Sequence, residues 1–412
     1  MELSSEIRGR PIKLQELERQ TVFQFLEAQA SNQPDQEAFV LYDQDCNRFS
    51  LTYRDWHNQS HALANALIEK GLGSDDTVIY ISPNNLEYPV DIMALFKTGA
   101  NVIALQQGYD GDSIIECLLK FECSVFMYHL DDKHPTQASM MQEVTKQFCQ
   151  QSSNIKAVIA PASGAENIDF SRRVYSYTDL LSLGQSLSMS DMNMITSRVH
   201  PDDPALAQET SGSTGYPKLC QFSHLTLVLA ALGTARIIGV DTASRIFLDL
   251  PFSWCSGMWA GINMAACTGA TLICVHPTLT LTRRLTDFAL KVLQDEKCSK
   301  AFLLPYLIYD INELGPLVLK YNFECLQRVL TGSQPVPLDL LRKLFTLLPN
   351  TEVFLSYGST ETALVASQKL GKDSLGVSMY GWMEVLDGVE LTIRDDEGRV
   401  VSKGTIGEVW FD

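Results

Sequence analysis

Along this chain, short apolar runs of strand length alternate with longer stretches whose apolar residues recur at helical spacing. Residues 21–30 place Val22, Phe25 and Leu26 on one helical face, and Asn32-Gln33-Pro34-Asp35 ends that pattern. Residues 38–42 and 49–53 read as strands joined by the polar turn 43–48, a hairpin. A helix follows with Ala62, Leu63, Ala66 and Leu67 at helical spacing, closed by Gly71. The alternation continues with a strand over 77–81, the loop Pro83-Asn84-Asn85, a helix over 87–97 ended at Gly99, and a strand at 102–105. A helix at 114–121, strands at 124–128 and 158–160, and a short helix at 177–183 stopped by Gly184 complete the first part. Residues 131–137 read as a polar loop, and the aperiodic Ser/Met/Asp-rich stretch 184–204 as a linker.

Beyond residue 205 the same alternation resumes. Strands are expected at 205–207, 219–222, 245–250, 271–275, 300–305, 328–330 and 354–357, with helices at 224–238, 254–267 and 338–348. Strands alternating with helices call for largely parallel sheets covered on both faces. The expected fold class is therefore α/β, in two lobes over 1–183 and 205–375, with residues 376–412 forming a further, β-rich part.

The chemistry concentrates at residue 210. Glu209-Thr210-Ser211-Gly212-Ser213-Thr214-Gly215-Tyr216-Pro217-Lys218 packs hydroxyls, two glycines and one lysine into a single loop between two strands. Glycines allow close backbone approach, successive N–H groups can converge on an anion, and the lysine adds a compact movable charge. This composition suits phosphates. It is not a Walker A loop, because Tyr216-Pro217 separates Gly215 from Lys218 and a strand follows instead of a helix. A second station, Leu330-Thr331-Gly332-Ser333-Gln334-Pro335, is a strand breaking into a turn, the place where open α/β sheets bind ligands. In the third, Tyr357-Gly358-Ser359-Thr360-Glu361, an aromatic can stack on a base, a hydroxyl can donate to a phosphate and a carboxylate can hold Mg²⁺.

Composition narrows this picture without redirecting it. The 412 residues exceed what one simple core organises, and 45% hydrophobic with 20% charged residues is an ordinary globular profile. A formal charge of −17 argues against nucleic acid as a partner. No apolar run reaches the ~18 residues that a membrane span needs. The acidic start lacks the order of a signal peptide. Ten cysteines without a Cys-x-x-Cys read as free thiols, and the expected location is intracellular, most simply the cytoplasm.

Residues 210–218 and the run Tyr357-Gly358-Ser359-Thr360-Glu361 together resemble the two signatures of the AMP-forming adenylate ligases, the superfamily of acyl-CoA synthetases, peptide-synthetase adenylation domains and luciferases. Leu51-Thr52-Tyr53, Pro83-Asn84-Asn85 and Lys97-Thr98-Gly99-Ala100 match smaller family motifs in the same order. The resemblance implies that Thr210, Ser213, Thr214 and Lys218 handle pyrophosphate, with Ser211, Gly212 and Gly215 as further nucleotide-binding residues of the same loop. It implies that Gly332, Ser333 and Gln334 lie against adenine with Tyr357 and Gly358, and that Thr360 contacts the α-phosphate while Glu361 holds Mg²⁺. Lys218, Thr360 and Glu361 would be the catalytic residues. The implied substrates are ATP with Mg²⁺, a carboxylic acid, and CoA or another thiol as acceptor.

Pro251-Phe252-Ser253-Trp254 stands where acyl-CoA synthetases usually carry Pro-x-Phe-His, so the family's histidine is missing. No acid lies between Pro251 and Ala266 to pair with a substrate amine, which disfavours an amino acid, and Trp254, Met258, Trp259 and Ile262 suit a fatty or aromatic one. A peptide-synthetase-like adenylation domain is the alternative. Residues 388–394, 399–401 and 407–411 resemble the start of the family's small β-barrel. The family's later Thr-Gly-Asp, hinge and C-terminal lobe are not in this sequence. The chain is thus expected to be the large part of such an enzyme or a truncated binder of nucleotide or acyl-adenylate. The acid, the acceptor and the oligomeric state stay open.

Overall fold

The computed structural model describes residues 5–10, 19–130, 135–161, 173–187, 196–210, 218–282, 285–372 and 380–411. The chain forms two compact units, neither continuous in sequence: one takes residues 20–232 and 240–285, the other 1–19, 233–239 and 286–412.

In the first unit a seven-stranded sheet runs in the order Lys218–Ser223, Pro204–Thr210, Asn101–Ala104, Thr77–Ile81, Val125–Tyr128, Ala157–Ala160, Val174–Ser176. Only the first pair is antiparallel; the remaining neighbours are parallel. Strands such as Val125–Tyr128 are buried at every position, as the two-sided cover of a parallel sheet requires. Pro204–Thr210, placed by chain order at the opening of a second lobe, pairs Val102–Ala104 with Leu206–Gln208 inside this sheet. The same unit holds Arg245–Leu248, Thr271–Val275 and Glu37–Tyr42 in parallel, with Arg48–Thr52 returning antiparallel as the expected hairpin.

The helix Tyr53–Glu69 organises this unit's packing. Its start is held by Thr52, whose Oγ1 accepts the Asp55 N–H at 3.1 Å. The buried Tyr53 hydroxyl lies 2.8 and 2.7 Å from the carbonyls of Ala265 and Ala270, and the Trp56 indole donates to Pro89 O at 2.8 Å. Phe39, Trp56, Tyr88 and Phe252 stack edge to face around these bonds. The Leu51-Thr52-Tyr53 motif is therefore a cap and an anchor.

Gly184 corrects an expectation. It lies within the helix Tyr177–Ser186 and is buried, and a Cβ there would fall 1.7 Å from Ala62 O. Glycine is present because two helices touch backbone to backbone, so close packing overrides the breaker tendency. The stretch expected as one helix over 254–267 is Cys255–Gly257 and Asn263–Thr268 flanking a π-turn, Met258–Ile262. The helix Pro135–Gln151 and strand Val174–Ser176 were not expected.

In the second unit Lys300–Phe302, Arg328–Thr331 and Glu352–Ser359 run parallel, and Ala363–Leu370 and Glu384–Val385 follow antiparallel. Helices Thr286–Asp295, Pro305–Leu314 and Leu338–Leu347 connect them. The β-rich end is a three-stranded antiparallel sheet in which Glu390–Arg394 pairs with Glu408–Phe411 and with Ile7–Arg8. Among the described residues it is open, and no closed barrel is formed.

Candidate active site

The predicted phosphate loop leaves one strand and enters its antiparallel neighbour. Thr210 and Lys218 face each other as register partners across the mouth, and Lys218 is exposed. Ser211, Gly212, Ser213, Thr214 and Gly215 lie outside the described residues. The two strands expected from the flanking apolar runs are found, paired antiparallel. Next to the mouth, the Tyr109 hydroxyl donates to Glu209 Oε2 at 2.5 Å; burial and this carboxylate push the phenol's pKa up.

The neighbouring Gln208 was not among the residues singled out from sequence. It is buried, and its Nε2 donates to Ser253 O at 2.9 Å. Asn84, in the Pro83-Asn84-Asn85 loop, is also buried: Nδ2 donates to Leu250 O at 2.9 Å and Oδ1 accepts Phe252 N–H at 2.7 Å. Asn85 Oδ1 accepts the Tyr88 N–H at 2.8 Å and so starts the helix Glu87–Thr98. A signal for Gln208 existed, a polar residue closing the apolar run Ala205-Leu206-Ala207. The segment these amides hold leads into Met258, Trp259 and Ile262, all buried, while Trp254 is half-buried.

The other two stations belong to the second unit. Thr331 and Leu355 are register partners on parallel strands, and the Ser356 hydroxyl donates to Thr331 O at 3.0 Å. Gly332 approaches Ser356 so closely that a Cβ would fall 2.4 Å from its Oγ and 2.9 Å from its O. Ser333 takes φ +70°, a left-handed conformation costly for a side-chain-bearing residue, and Ser333 and Gln334 are exposed. The structure thus brings the Gly332 turn alongside Ser356, one residue before Tyr357.

Tyr357 is 50% exposed, unusual for an aromatic inside a strand. The ladder shifts register between Tyr357 and Gly358, and a Cβ on Gly358 would meet Ala363 O at 1.9 Å. This bulge re-aims the strand end. The strand then runs on to Ser359, where the tight turn had been expected at Gly358. It reverses through Thr360, Glu361 and Thr362, with the Ser359 N–H donating to Thr362 Oγ1 at 3.2 Å and Ala363 at φ +55°. Glu361 is exposed at the tip. The same hairpin presents an aromatic face, a hydroxyl and a carboxylate within five residues.

The first unit also buries Asp91 and Lys97. Asp91 is fully buried and accepts from the Tyr80 hydroxyl at 2.9 Å, with His129 Nε2 2.7 Å away. Burial opposes charging of His129, but the Asp91 carboxylate outweighs it and raises the imidazole's pKa. Lys97, the first residue of the Lys-x-Gly-Ala motif, is buried and donates to Ser60 Oγ at 2.8 Å; burial lowers its pKa to about 7, with Glu27 opposing. No described helix is long and apolar enough to cross a membrane.

Comparison with known proteins gives the family and the fold. The family of AMP-binding enzymes matches residues 26–412. A medium-chain acyl-CoA ligase of Danio rerio, a mitochondrial protein, is 26% identical over 400 residues; the alignment covers 95% of this chain and 64% of that protein. This chain therefore spans just under two thirds of that relative's length. Among solved structures, the luciferase-like enzyme of the nonluminescent mealworm Zophobas morio superposes with a TM-score of 0.79 at 19% identity, covering 99% of this chain and 88% of that one. A long-chain-fatty-acid-CoA ligase from Archaeoglobus fulgidus gives 0.78 at 18% identity, covering 99% and 77%. At these identities the two structures speak for the fold.

Proposed function

Because the chain belongs to the AMP-binding enzyme family, we propose that it activates a carboxylic acid with ATP, forming an acyl-adenylate and releasing pyrophosphate on the way to an acyl thioester. The observation that carries this reading is the family match over residues 26–412. It is supported within the first unit by Thr210 standing opposite Lys218 on antiparallel strands, and within the second by the bulged hairpin that carries Tyr357, Thr360 and Glu361.

The chemistry needs charge management and no enzyme nucleophile. A carboxylate oxygen of the substrate attacks the α-phosphorus; that P–O bond forms as the bond to pyrophosphate breaks, and pyrophosphate leaves with the electron pair. A thiol then attacks the acyl carbon and AMP departs. Both partners of the first step are anions, so preorganised donors and cations must offset their repulsion. Lys218 is the mobile cation for the departing pyrophosphate, with Thr210 and the loop residues 211–215 as donors. Thr360 is the donor for the α-phosphate. The half-exposed Tyr357 ring offers a stacking face for adenine. The Gly332 turn, where a side chain would collide with Ser356, allows the backbone to lie flat beside it.

Mg²⁺, when bound, would neutralise phosphate charge. Such an ion is held mainly by phosphate oxygens and water with one or two carboxylates, and the exposed Glu361 fits that requirement. For the acid, the buried apolar residues Met258, Trp259 and Ile262 favour a fatty or aromatic substrate. The names of the zebrafish and Archaeoglobus proteins, ligases of medium- and long-chain acids, favour the fatty class. CoA is the acceptor those names support.

The test is Mg²⁺-ATP-dependent pyrophosphate release over fatty, aromatic and amino acids. One acid class should support release, and Lys218→Ala and Glu361→Ala should each lower it by about 10²–10³-fold, the usual cost of losing one preorganised charge. Release unaffected by both substitutions, or absent with every acid, would reject the assignment.

A further inference from the structure

We propose that Asn84 and Gln208 are positioning residues that hold the acid-facing stretch 250–258 in register, so that they set acid affinity without touching ATP; this rests on the functional reading above. The stretch lies just beyond the strand Arg245–Leu248 and carries no ladder of its own. Yet three backbone groups within four residues, Leu250 O, Phe252 N–H and Ser253 O, are bound by side-chain amides from distant parts of the chain, at 2.9, 2.7 and 2.9 Å.

The residue types matter. A primary amide is the side chain that offers donor and acceptor in one plane, so Asn84 reproduces a neighbouring strand's edge to Leu250 and Phe252. Both amides are buried, Asn84 at 5% and Gln208 at 1% exposure, so water does not compete. Gln208 stands in a parallel sheet where a β-branched apolar residue would pack without polar cost. Its Oε1 has no partner among the described residues, which a position serving packing alone would not retain.

The π-turn Met258–Ile262, immediately beyond the held segment, is the reason anchoring is needed; this geometry is rare in structural helices and concentrated at functional sites. Within and just beyond it, Trp259 Nε1 and both side-chain polar atoms of Asn263 are buried with no partner among the described residues. A segment so poorly satisfied by its own packing depends on outside anchors for its shape. Gly257 packs under Pro251 and Phe252, where a Cβ would fall 2.0 Å from Pro251 O, so displacement of 251–252 is passed directly to the start of the π-turn.

The experiment compares Asn84→Ala, Asn84→Asp, Gln208→Ala and Gln208→Glu with the unaltered protein. Two readouts are used: KM for acid against KM for ATP in pyrophosphate release, and hydrogen exchange of the peptide spanning 250–258. Losing a buried hydrogen-bonded amide should raise KM for the acid by about tenfold while KM for ATP stays within about twofold. Exchange should accelerate in 250–258 and not elsewhere. Asn84→Asp keeps the acceptor for Phe252 N–H but loses the donor to Leu250 O, so its effect should lie between those of the unaltered protein and Asn84→Ala. Unchanged exchange in that peptide, equal rises in both KM values, or faster exchange throughout the molecule with a lowered Tm would each overturn the proposal. If the unaltered protein activates no acid, the functional reading fails by its own test, and the exchange arm still decides whether the two amides hold the segment.

Discussion

At the scale of single residues, the features with most consequence are polar groups in places where apolar ones would be cheaper. Lys97 is the clearest. The residue is 3% exposed, its ammonium is bonded to a serine hydroxyl, and burial brings its pKa down to about 7. The unfolded chain carries an ordinary lysine there, so between about pH 7 and 10.4 it binds more protons than the folded protein. Stability should therefore rise with pH across that window, by up to ~1.4 kcal/mol per unit from this group, and be lowest below it. Lys97→Met should flatten the rise, as urea midpoints measured at pH 6, 7.5 and 9 would reveal. A slope identical in both proteins would show that Lys97 is not the group responsible. The motif residue thus has a structural cost visible only once its burial is known, since lysine at a helix end reads from sequence as a solvent-facing dipole partner.

At the scale of elements, the alternation of apolar runs was a sound guide because buried parallel strands are apolar at every position and helices are not. The strands Thr77–Ile81, Val125–Tyr128 and Thr271–Val275 and the helices Tyr53–Glu69 and Glu87–Thr98 fell where the pattern placed them. Failures have specific causes. Met141, Val144 and Phe148 do form a helical stripe within Pro135–Gln151, but the polar residues before it masked the start. Ala363–Leu370 mixes apolar and polar residues without helical or strand period, and only pairing with Glu352–Ser359 makes it a strand. Gly184 read as a stop because sequence cannot register the backbone of Ala62 lying against it. Gly184→Ala should destabilise by ~1–3 kcal/mol through overpacking. Gly73→Ala, where an added Cβ meets nothing within 4 Å, should be near neutral. Equal unfolding midpoints for the two variants would refute the contact.

At the scale of the whole molecule, a ligand that binds only the folded state must stabilise it by mass action. A non-hydrolysable acyl-adenylate analogue at a hundredfold excess over its Kd should add ~2.7 kcal/mol, read as a raised Tm. Tyr357→Ala, which removes the proposed stacking face for adenine, should reduce the gain, whereas Gly73→Ala should keep it. No gain with any acyl chain would count against an adenylate-binding site. Each unit is assembled from separated stretches of chain, 20–232 with 240–285 and 1–19 with 233–239 and 286–412. That partition could not be read in chain order. The sequence by itself determined the family and the α/β class, because ordered short motifs and the alternation of apolar runs are local patterns that the chain carries before it folds. Only the tertiary structure decided that Pro204–Thr210 joins the first sheet, that Gly332 lies against Ser356, and that Asn84 and Gln208 hold residues 250–253. Those are pairings between residues far apart in the chain, and their energy comes from burial and hydrogen bonds that exist only when distant segments meet.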